Sequence, residues 1–214
     1  MESKELSIVI VTFKSELKIF DCLEAIPRNI KVIVVENSKN EFFKKDIERR
    51  YGNVNCILTG KNKGYAIANN IGLRSVNTRY ALVLNPDAIL QKNAVENFLK
   101  IANKNNNFWL IGPGNDQNVD LNFKNENTIE VNNLKGFAIF FNMSKFNNKF
   151  FDENFFLYFE EIDLCKKVKM SNGKIYLDQN ILIKHEGASS VDTKAELELE
   201  KSRNWHWMWS TFYY

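Results

Sequence analysis

Three short apolar runs, each followed by polar residues, restrict the folds open to this chain. They span Leu6–Thr12, Lys31–Glu36 and Tyr80–Leu84 and are rich in valine, isoleucine and leucine. Uninterrupted runs of this length are typical of strands buried on both faces, as in a parallel sheet. A shorter strand is predicted at 55–58, and helices are predicted at 15–25, 41–51, 65–76 and 93–103. Strands alternating with helices predict βαβ units and an α/β fold with a doubly wound sheet.

The third run stops at Asn85-Pro86-Asp87. Pro86 has no backbone N–H and cannot continue a central strand. Asp87 is therefore predicted to follow the carboxyl end of a buried strand, the edge at which open α/β sheets bind ligands. The alternative interpretation of this corner is an aspartate that only caps a turn or helix.

The second half of the chain is predicted to carry mixed strands. These are expected at 108–111, 128–131, 136–141, 174–177 and 181–184, with a helix at 159–170. Residues from about 193 onward show a helical pattern that ends in the aromatic sequence WHWMWSTFYY. The Asn-rich stretches 103–107 and 115–127 are predicted to be loops, and the second is expected to be mobile.

Composition excludes several classes of protein. The 214 residues fit one domain, and a net charge of +3 with scattered lysines does not indicate nucleic-acid binding. Three cysteines without CxxC spacing argue against a disulfide framework or a zinc site and favour a reducing compartment. No apolar run approaches the roughly 18 residues that span a bilayer. The expected location is therefore the cytoplasm.

Polar residues follow the predicted strands at four places. Strand ends on one edge of a parallel sheet lie side by side, so these four corners are expected to meet at one crevice. The corners are Thr12-Phe13, Glu36-Asn37-Ser38, the helix start from Asn62 to Gly72, and Asn85-Pro86-Asp87.

Six motifs occur in a characteristic order along the chain: SIVIVTF, VIVVENS, NKGYAIANNIG, LNPDAIL, FFLYFEEIDLCKKV and KHEGASS. As a set they resemble the family 2 glycosyltransferases of the GT-A fold, and most of all the rhamnosyltransferase-type enzymes of bacterial surface polysaccharide assembly. The resemblance extends to about residue 204. It implies an inverting transfer of a sugar from a dTDP- or UDP-sugar to a hydroxyl of a glycan or lipid-linked acceptor. It also implies Mg²⁺ or Mn²⁺ on the diphosphate.

The resemblance implies a GT-A domain over 1–192, followed by an aromatic helix over 193–214 at a C-terminus that is native or shortened. Within the domain, 1–104 is expected to bind the nucleotide-sugar and 105–192 to carry the acceptor and catalytic groups. Nucleotide-sugar contacts are implied at Thr12, Phe13, Glu36, Asn62, Gly64, Asn70, Asn85 and Asp87. For Asn62 and Asn70, a structural role in tying the loop or capping a helix is the alternative, and Gly72 is expected to serve helix packing.

Asp87 is the expected metal ligand, and His185 is a second candidate. Hard oxygen ligands suit Mg²⁺ and Mn²⁺. The family often has a carboxylate two positions before this aspartate, where the present chain has Asn85. Asn85 can donate a hydrogen bond but adds no charge, so metal affinity is expected to depend more on the oxygens of the diphosphate.

The helix predicted at 159–170 offers Glu160, Glu161 and Asp163 as possible general bases. At roughly 100° per residue, Glu161 falls within the apolar arc, whereas Glu160 and Asp163 fall on the other side with Lys167. A carboxylate on a buried arc loses solvation, which raises its pKa toward a useful range. Glu161 also matches the second acidic position of the family motif. We therefore predict Glu161 as the base, Glu160 as the reserve, and an ion pair between Asp163 and Lys166 or Lys167.

Other interpretations stay open at this point. A nucleotidyltransferase on a similar sheet and a non-catalytic nucleotide-sugar-binding relative are the alternatives, whereas the absence of GxGxxG after the first strand argues against a dinucleotide oxidoreductase. The aromatic C-terminal helix is expected to pack in the core or in a homodimer, or to make peripheral contact with a membrane. Lys201 and Arg203 on this helix are expected to be solvated, with a diphosphate or anionic surface as the alternative partner.

Overall fold

The computed structural model describes residues 5–114, 127–185 and 196–214. Its strands are β1 (Leu6–Thr12), β2 (Lys31–Glu36), β3 (Val54–Leu58), β4 (Tyr80–Leu84), β5 (Ala88–Leu90), β6 (Phe108–Pro113), β7 (Thr128–Glu130), β8 (Ala138–Asn142), β9 (Lys174–Asp178) and β10 (Ile183–His185). Its helices are α1 (Lys18–Glu24), α2 (Glu41–Arg50), α3 (Gly64–Arg74), α4 (Ala94–Lys104), α5 (Glu160–Met170) and α6 (Glu196–Tyr213).

Eight strands form one sheet in the order β3-β2-β1-β4-β8-β6-β9-β7. The four strands β3, β2, β1 and β4 run parallel, β8 is antiparallel to β4 and β6, and β7 is antiparallel to β9. The sheet is therefore parallel in the first half of the chain and mixed in the second. This confirms the predicted α/β fold class.

Both faces of the sheet are covered by helices. In β1, Ile8 and Ile10 pack into a cluster with residues of α1, α2 and α4, whereas Val9 packs into a second cluster with residues of α3 and α5. The buried apolar runs thus supply side chains to both sides, as a doubly wound sheet requires. Gly72 allows α3 to approach closely, because a Cβ there would lie 2.3 Å from Cγ1 of Val9.

Some local predictions need correction. The helix predicted at 15–25 begins only at Lys18, and the Ser15 hydroxyl donates to the carbonyl of Phe13 at 3.1 Å. The strands β7 and β8 are consecutive in the chain but do not pair with each other; β7 pairs with β9 instead. The short strand β5 was missed, since it pairs only with the distant β10. Most of the predicted 115–127 loop lies outside the described residues.

Helix α6 packs one side against the aromatic segment, residues 150–159, that precedes α5. The Ser210 hydroxyl donates to the Leu157 carbonyl at 2.8 Å, and His206 stacks on Phe156 with ring centroids 4.2 Å apart. The other side is exposed: among the described residues, five large apolar side chains of this helix are more than half exposed, namely Trp205, Trp207, Met208, Trp209 and Phe212. None of the helices in the described parts of the chain has the length and apolar character needed to cross a bilayer.

Candidate active site

A cavity of about 520 Å³ lies at the carboxyl edge of the parallel strands. Seven of the predicted site residues line it: Phe13, Asn62, Gly64, Asn85, Glu160, Glu161 and His185. Its other lining residues are Val11, Ser15, Asn37, Tyr65, Pro86, Lys135, Gly136, Phe137, Phe156, Leu157, Tyr158, Arg203 and His206. Strand ends from the first half of the chain and helix starts from the second half therefore meet at one site.

Asn37 connects the second and third corners. Its Nδ2 donates to Asn62 Oδ1 at 3.0 Å and to the Gly64 carbonyl at 3.2 Å. Gly64 has a φ of +80°, and a Cβ there would lie 2.4 Å from the carbonyl oxygen of Phe156. Only glycine tolerates this approach, which lets the Tyr65 N–H donate to that same carbonyl at 2.7 Å. The start of α3 is thus joined directly to the aromatic segment, and both line the cavity.

Thr12 and Glu36 do not line the cavity, although both were predicted to contact the nucleotide. They are register partners in β1 and β2, and each is 2% exposed. The Glu36 carboxylate accepts hydrogen bonds from the Ser38 N–H at 3.1 Å, the Ser38 hydroxyl at 2.8 Å and the Asn40 N–H at 3.2 Å. Through these contacts the Glu36 carboxylate stabilises the turn that follows β2. Its neighbour Asn37 is the residue of that corner that reaches the cavity.

Asn70 lies away from the cavity and is 1% exposed. Its Nδ2 donates to the Phe151 carbonyl at 2.9 Å and to Glu153 at 3.0 Å, and its Oδ1 accepts from the Phe151 N–H at 3.0 Å. Of the two roles considered for Asn70, these contacts favour the structural one. The side chain ties α3 to the chain segment leading to α5.

Asp87 is 7% exposed and does not line the cavity, although its neighbours Asn85 and Pro86 do. Its Oδ1 is 3.4 Å from Nε2 of His185 but has no hydrogen-bond partner among the described residues. The pairing of β5 with β10 produces this approach, since Ala88 and His185 are register partners. His185 in turn stacks on Phe137, with ring centroids 4.4 Å apart.

These residues fit a divalent cation. A buried carboxylate oxygen that lacks a donor calls for an explanation such as a bound ion, and carboxylate oxygen and imidazole nitrogen are both metal ligands. No group of three or more His, Cys, Asp or Glu side chains suited to a metal occurs in the described residues. Asp87 and His185 could hold a cation only if further ligands come from a bound phosphate group or water.

Glu160 is buried, contrary to the prediction that it would lie on the solvated side of α5. It is 5% exposed, whereas Glu161 is half-buried, and both line the cavity. The prediction considered only which side of an isolated helix faces the sheet. It did not include other parts of the chain that cover the first turn of α5. Asp163 pairs with Lys167 at 2.7 Å, as predicted.

The two carboxyl groups at the start of α5 influence each other. Burial, and then the charge of Glu161, raises the pKa of Glu160 to about 8. Burial also raises the pKa of Glu161 and, together with both carboxylates, that of Tyr65. Tyr158 and Phe159, just before the helix, have φ values of +72° and +70°. Backbone strain of this kind often accompanies functional sites.

Glu160→Gln is expected to become more stable relative to the unchanged protein as the pH rises. Between about pH 4.5 and 8 the native state keeps the Glu160 proton that the unfolded chain releases. The free energy of unfolding therefore falls as the pH rises through this window, by about 1.4 kcal/mol for each pH unit. Glutamine does not titrate and removes this loss. Urea unfolding of both proteins at pH 5 and pH 8 measures it, and an equal stability difference at both pH values would contradict the assignment.

Several cavity residues were missed by sequence reasoning. Lys135 and Phe137 lie in the connection before β8, where the sequence shows only a glycine within an apolar run. His206 comes from α6, which reaches the cavity because it packs on the aromatic segment. Arg203 of the same helix was expected to be solvated, with a diphosphate as the alternative partner, and it lines the cavity. The aromatic residues of this helix are spread nearly all around it, so the sequence did not indicate that one side would face a site.

Comparison with known proteins identifies the family. The model of the family described as Glycosyl transferase family 2 matches residues 7–165, well over half of the chain. The chain belongs to glycosyl transferase family 2. The matched region of this family 2 protein contains the four corners and the Glu160-Glu161 pair, and the family resemblance inferred from the motifs is confirmed.

A curated relative supports this assignment. The low-salt glycan biosynthesis hexosyltransferase Agl10 of Haloferax volcanii is 27% identical over 195 residues, covering 78% of this chain and 62% of the relative. The family 2 chain thus spans less than two thirds of that relative's length.

Solved structures share the fold of the family 2 chain. TarS 1-349 of S. aureus in complex with UDP-GlcNAc has a TM-score of 0.68 at 16% identity, covering 87% of this chain and 60% of that one. The mannosyltransferase PcManGT of Pyrobaculum calidifontis, in complex with GDP-Man and Mn²⁺, has a TM-score of 0.65 at 11% identity, covering 86% and 56%. At these identities the likeness concerns the fold alone, and the predicted GT-A fold is confirmed.

Proposed function

We propose that this protein is an inverting glycosyltransferase that moves a sugar from a nucleoside-diphosphate donor to an acceptor hydroxyl. One observation carries the proposal. Asn85 and Pro86 line the same 520 Å³ cavity as His185 and Glu161, which come from the other half of the chain. Groups suited to a diphosphate and a group suited to remove a proton therefore face a common space.

The donor is proposed to occupy the side of the cavity formed by the strand ends. Phe13 offers a ring face for a nucleobase, and the amides of Asn37 and Asn85 offer hydrogen bonds to sugar or phosphate oxygens. Asp87 and His185 would hold Mg²⁺ or Mn²⁺ beside the diphosphate, and such a cation supplies neutralisation of the charge on the departing nucleoside diphosphate. Because Asn85 is neutral, Asp87 is the carboxylate of this corner.

Glu161 is proposed to act as the general base. Its carboxylate accepts the proton of the acceptor hydroxyl while that oxygen forms a bond to the anomeric carbon of the donor sugar. The bond from the anomeric carbon to the diphosphate oxygen breaks, and its electron pair leaves with the diphosphate. Attack opposite the leaving group inverts the anomeric configuration. The raised pKa of Glu161 suits this role, because a base near the working pH transfers protons efficiently.

The donor sugar is proposed to be a hexose or deoxyhexose. The sequence motifs point to dTDP-rhamnose, whereas the curated relative is named a hexosyltransferase of glycan biosynthesis. The solved neighbours hold UDP-GlcNAc and GDP-Man. A donor panel for this chain should therefore contain dTDP-, UDP- and GDP-sugars.

Thermal unfolding with nucleoside diphosphates, with and without Mn²⁺, tests the proposal. At about 100 times Kd a ligand stabilises the native state by about 2.7 kcal/mol. This corresponds to a rise in Tm of roughly 5–10 °C for a chain of this size. We expect such a rise with UDP or dTDP only when Mn²⁺ is present, and none with NAD or ATP. The same shift with ATP as with UDP would contradict the proposal and favour the nucleotidyltransferase alternative.

Hydrolysis of the matching nucleotide-sugar separates an enzyme from a binding relative. A glycosyltransferase without acceptor slowly passes the sugar to water, so we expect metal-dependent release of the nucleoside diphosphate. Donor binding without either hydrolysis or transfer would identify the chain as the non-catalytic relative.

A further inference from the structure

Helix α6 turns its most apolar side away from the protein. Trp205, Met208, Trp209 and Phe212 are spaced as i, i+3, i+4 and i+7, so they lie along one side of the helix and are here named the aromatic stripe. They are 56%, 51%, 51% and 90% exposed. The rings of Trp205 and Trp209 stack with their centroids 6.0 Å apart. A helix on the surface of a globular protein normally turns such a stripe toward the core, so this one needs another surface to cover it.

The orientation of α6 is fixed by contacts on its opposite side. The Ser210 hydroxyl donates to the Leu157 carbonyl at 2.8 Å, and the Tyr213 hydroxyl accepts from Nδ2 of Asn154 at 2.8 Å. At 100° per residue, Ser210 lies about 140° around the helix from Trp205. The aromatic stripe is therefore not the side by which α6 packs on its own chain.

The exposed surface on and beside α6 is basic. Lys201 is exposed and lies one turn before the aromatic stripe, on the same side of the helix. Lys166 of α5 is exposed as well, with its ammonium 4.4 Å from the centroid of the Tyr214 ring. From Lys201 to Tyr214 the sequence has no aspartate or glutamate. Asp152, on the packed side of α6, is paired with Lys167 at 2.9 Å.

A second copy of the chain matches this surface poorly. A twofold pair of stripes would bring the two copies of Lys201 close together, because such an interface uses the same patch twice. An aromatic side chain buries about 150–250 Å², so the partly exposed stripe offers on the order of 500 Å². An ordinary interface needs roughly 800 Å² from each partner.

We propose that the aromatic stripe binds the surface of a lipid bilayer that contains anionic lipids. Tryptophan is enriched at the headgroup level of membranes, because its ring is apolar while its N–H remains polar. An amphipathic helix lies in this layer with its apolar side toward the acyl chains, and basic residues add attraction to anionic headgroups. Lys201 continues the stripe, and its long side chain lets the ammonium reach those headgroups.

This binding would bring the 520 Å³ cavity close to the membrane. Arg203 and His206 of α6 line the cavity, and they lie about 160° and 100° around the helix from Trp205. A helix with its side chains is about 10–12 Å across, so the cavity would begin about one helix diameter from the lipid surface. An acceptor anchored in the same bilayer could then reach the cavity, a consequence that rests on the proposed function.

Sedimentation of the protein with vesicles tests the proposal. The vesicles are pure phosphatidylcholine and an equimolar mixture of phosphatidylcholine and phosphatidylglycerol. We expect binding to the mixed vesicles that weakens at high salt, since salt screens the attraction between lysines and headgroups. Phe212→Asp changes the most exposed residue of the stripe and should lower the partition coefficient at least about tenfold, or about 1.4 kcal/mol. The double variant Trp205→Ser/Trp209→Ser should have an effect of the same size.

Trp207 provides the matched control. It is 53% exposed on the same helix, but it lies about 160° around the helix from both Trp205 and Trp209. Trp207→Ser is therefore expected to bind the mixed vesicles like the unchanged protein. Quenching of tryptophan fluorescence by brominated phosphatidylcholine gives a second measurement. It should fall strongly in Trp205→Phe/Trp209→Phe and little in Trp207→Phe.

Two results would overturn the proposal: an unchanged protein that does not bind the mixed vesicles, and equal losses of binding in Trp207→Ser and in the stripe variants. Sedimentation equilibrium is measured on the same proteins. Self-association that Phe212→Asp abolishes, without vesicle binding, would show that a second copy covers the stripe. Thermal shifts with UDP and Mn²⁺ test the proposed function separately. If UDP binds but vesicles do not, only the membrane proposal is wrong, whereas vesicle binding without UDP binding contradicts the proposed function alone.

Discussion

Glu161→Gln is expected to lower the rate of sugar transfer by about 10²–10⁴-fold, the range typical of a lost general base. Glutamine keeps the size of the side chain and its place in the lining of the cavity but cannot accept the acceptor proton. Donor affinity should change little, because the proposed donor contacts come from the strand ends. Transfer rates and the Kd for UDP with Mn²⁺, measured on the same preparation, give both quantities.

Two neighbouring variants make this result specific. Asp163→Asn lies on the same helix, and its carboxylate pairs with Lys167 and does not line the cavity, so near-normal transfer is expected. Glu160→Gln removes the reserve candidate. Full activity of Glu161→Gln combined with a large loss in Glu160→Gln would show that the base is Glu160.

Asp87→Asn is expected to abolish the Mn²⁺-dependent stabilisation by UDP and to reduce transfer at least about 100-fold. A cation on the diphosphate contributes several kcal/mol to the transition state, and each 1.4 kcal/mol corresponds to a factor of ten in rate. Asparagine keeps the shape of this buried side chain but removes its negative charge. Thermal shifts with UDP, with and without Mn²⁺, and transfer rates over a range of Mn²⁺ concentrations measure the effect.

Asn85→Asp provides the opposite change at the same corner. Asn85 lines the cavity two positions before Asp87, and an added carboxylate there should lower the Mn²⁺ concentration needed for half-maximal activity. If Asp87→Asn kept its response to Mn²⁺, the metal would be held elsewhere and the assignment of Asp87 would be wrong.

The sheet and the meeting of its corners could be predicted because they depend on local pattern. Uninterrupted apolar runs such as Tyr80–Leu84 have no stable place except between two layers of helices. Pro86, two residues after the end of this run, cannot continue it, so Asn85 and its neighbours had to lie at the end of the strand. Phe13, which directly follows β1, reached the cavity for the same reason.

Some residues lie differently from what the sequence predicts, because of contacts that the pattern does not show. Glu36 has the right position in sequence, but its carboxylate is used by Ser38 and Asn40 in its own turn. Glu160 appears solvated on an isolated helix and becomes buried only when other segments cover the first turn of α5.

Crystals of the protein grown with UDP and Mn²⁺ test most directly the central claim that Asp87 and Glu161 serve one reaction space. The anomalous signal of manganese should lie at coordination distance from Asp87, roughly 2.0–2.6 Å, with the diphosphate in the 520 Å³ cavity that Glu161 lines. Manganese and diphosphate bound away from Asp87, or separated from Glu161 by packed side chains, would contradict it.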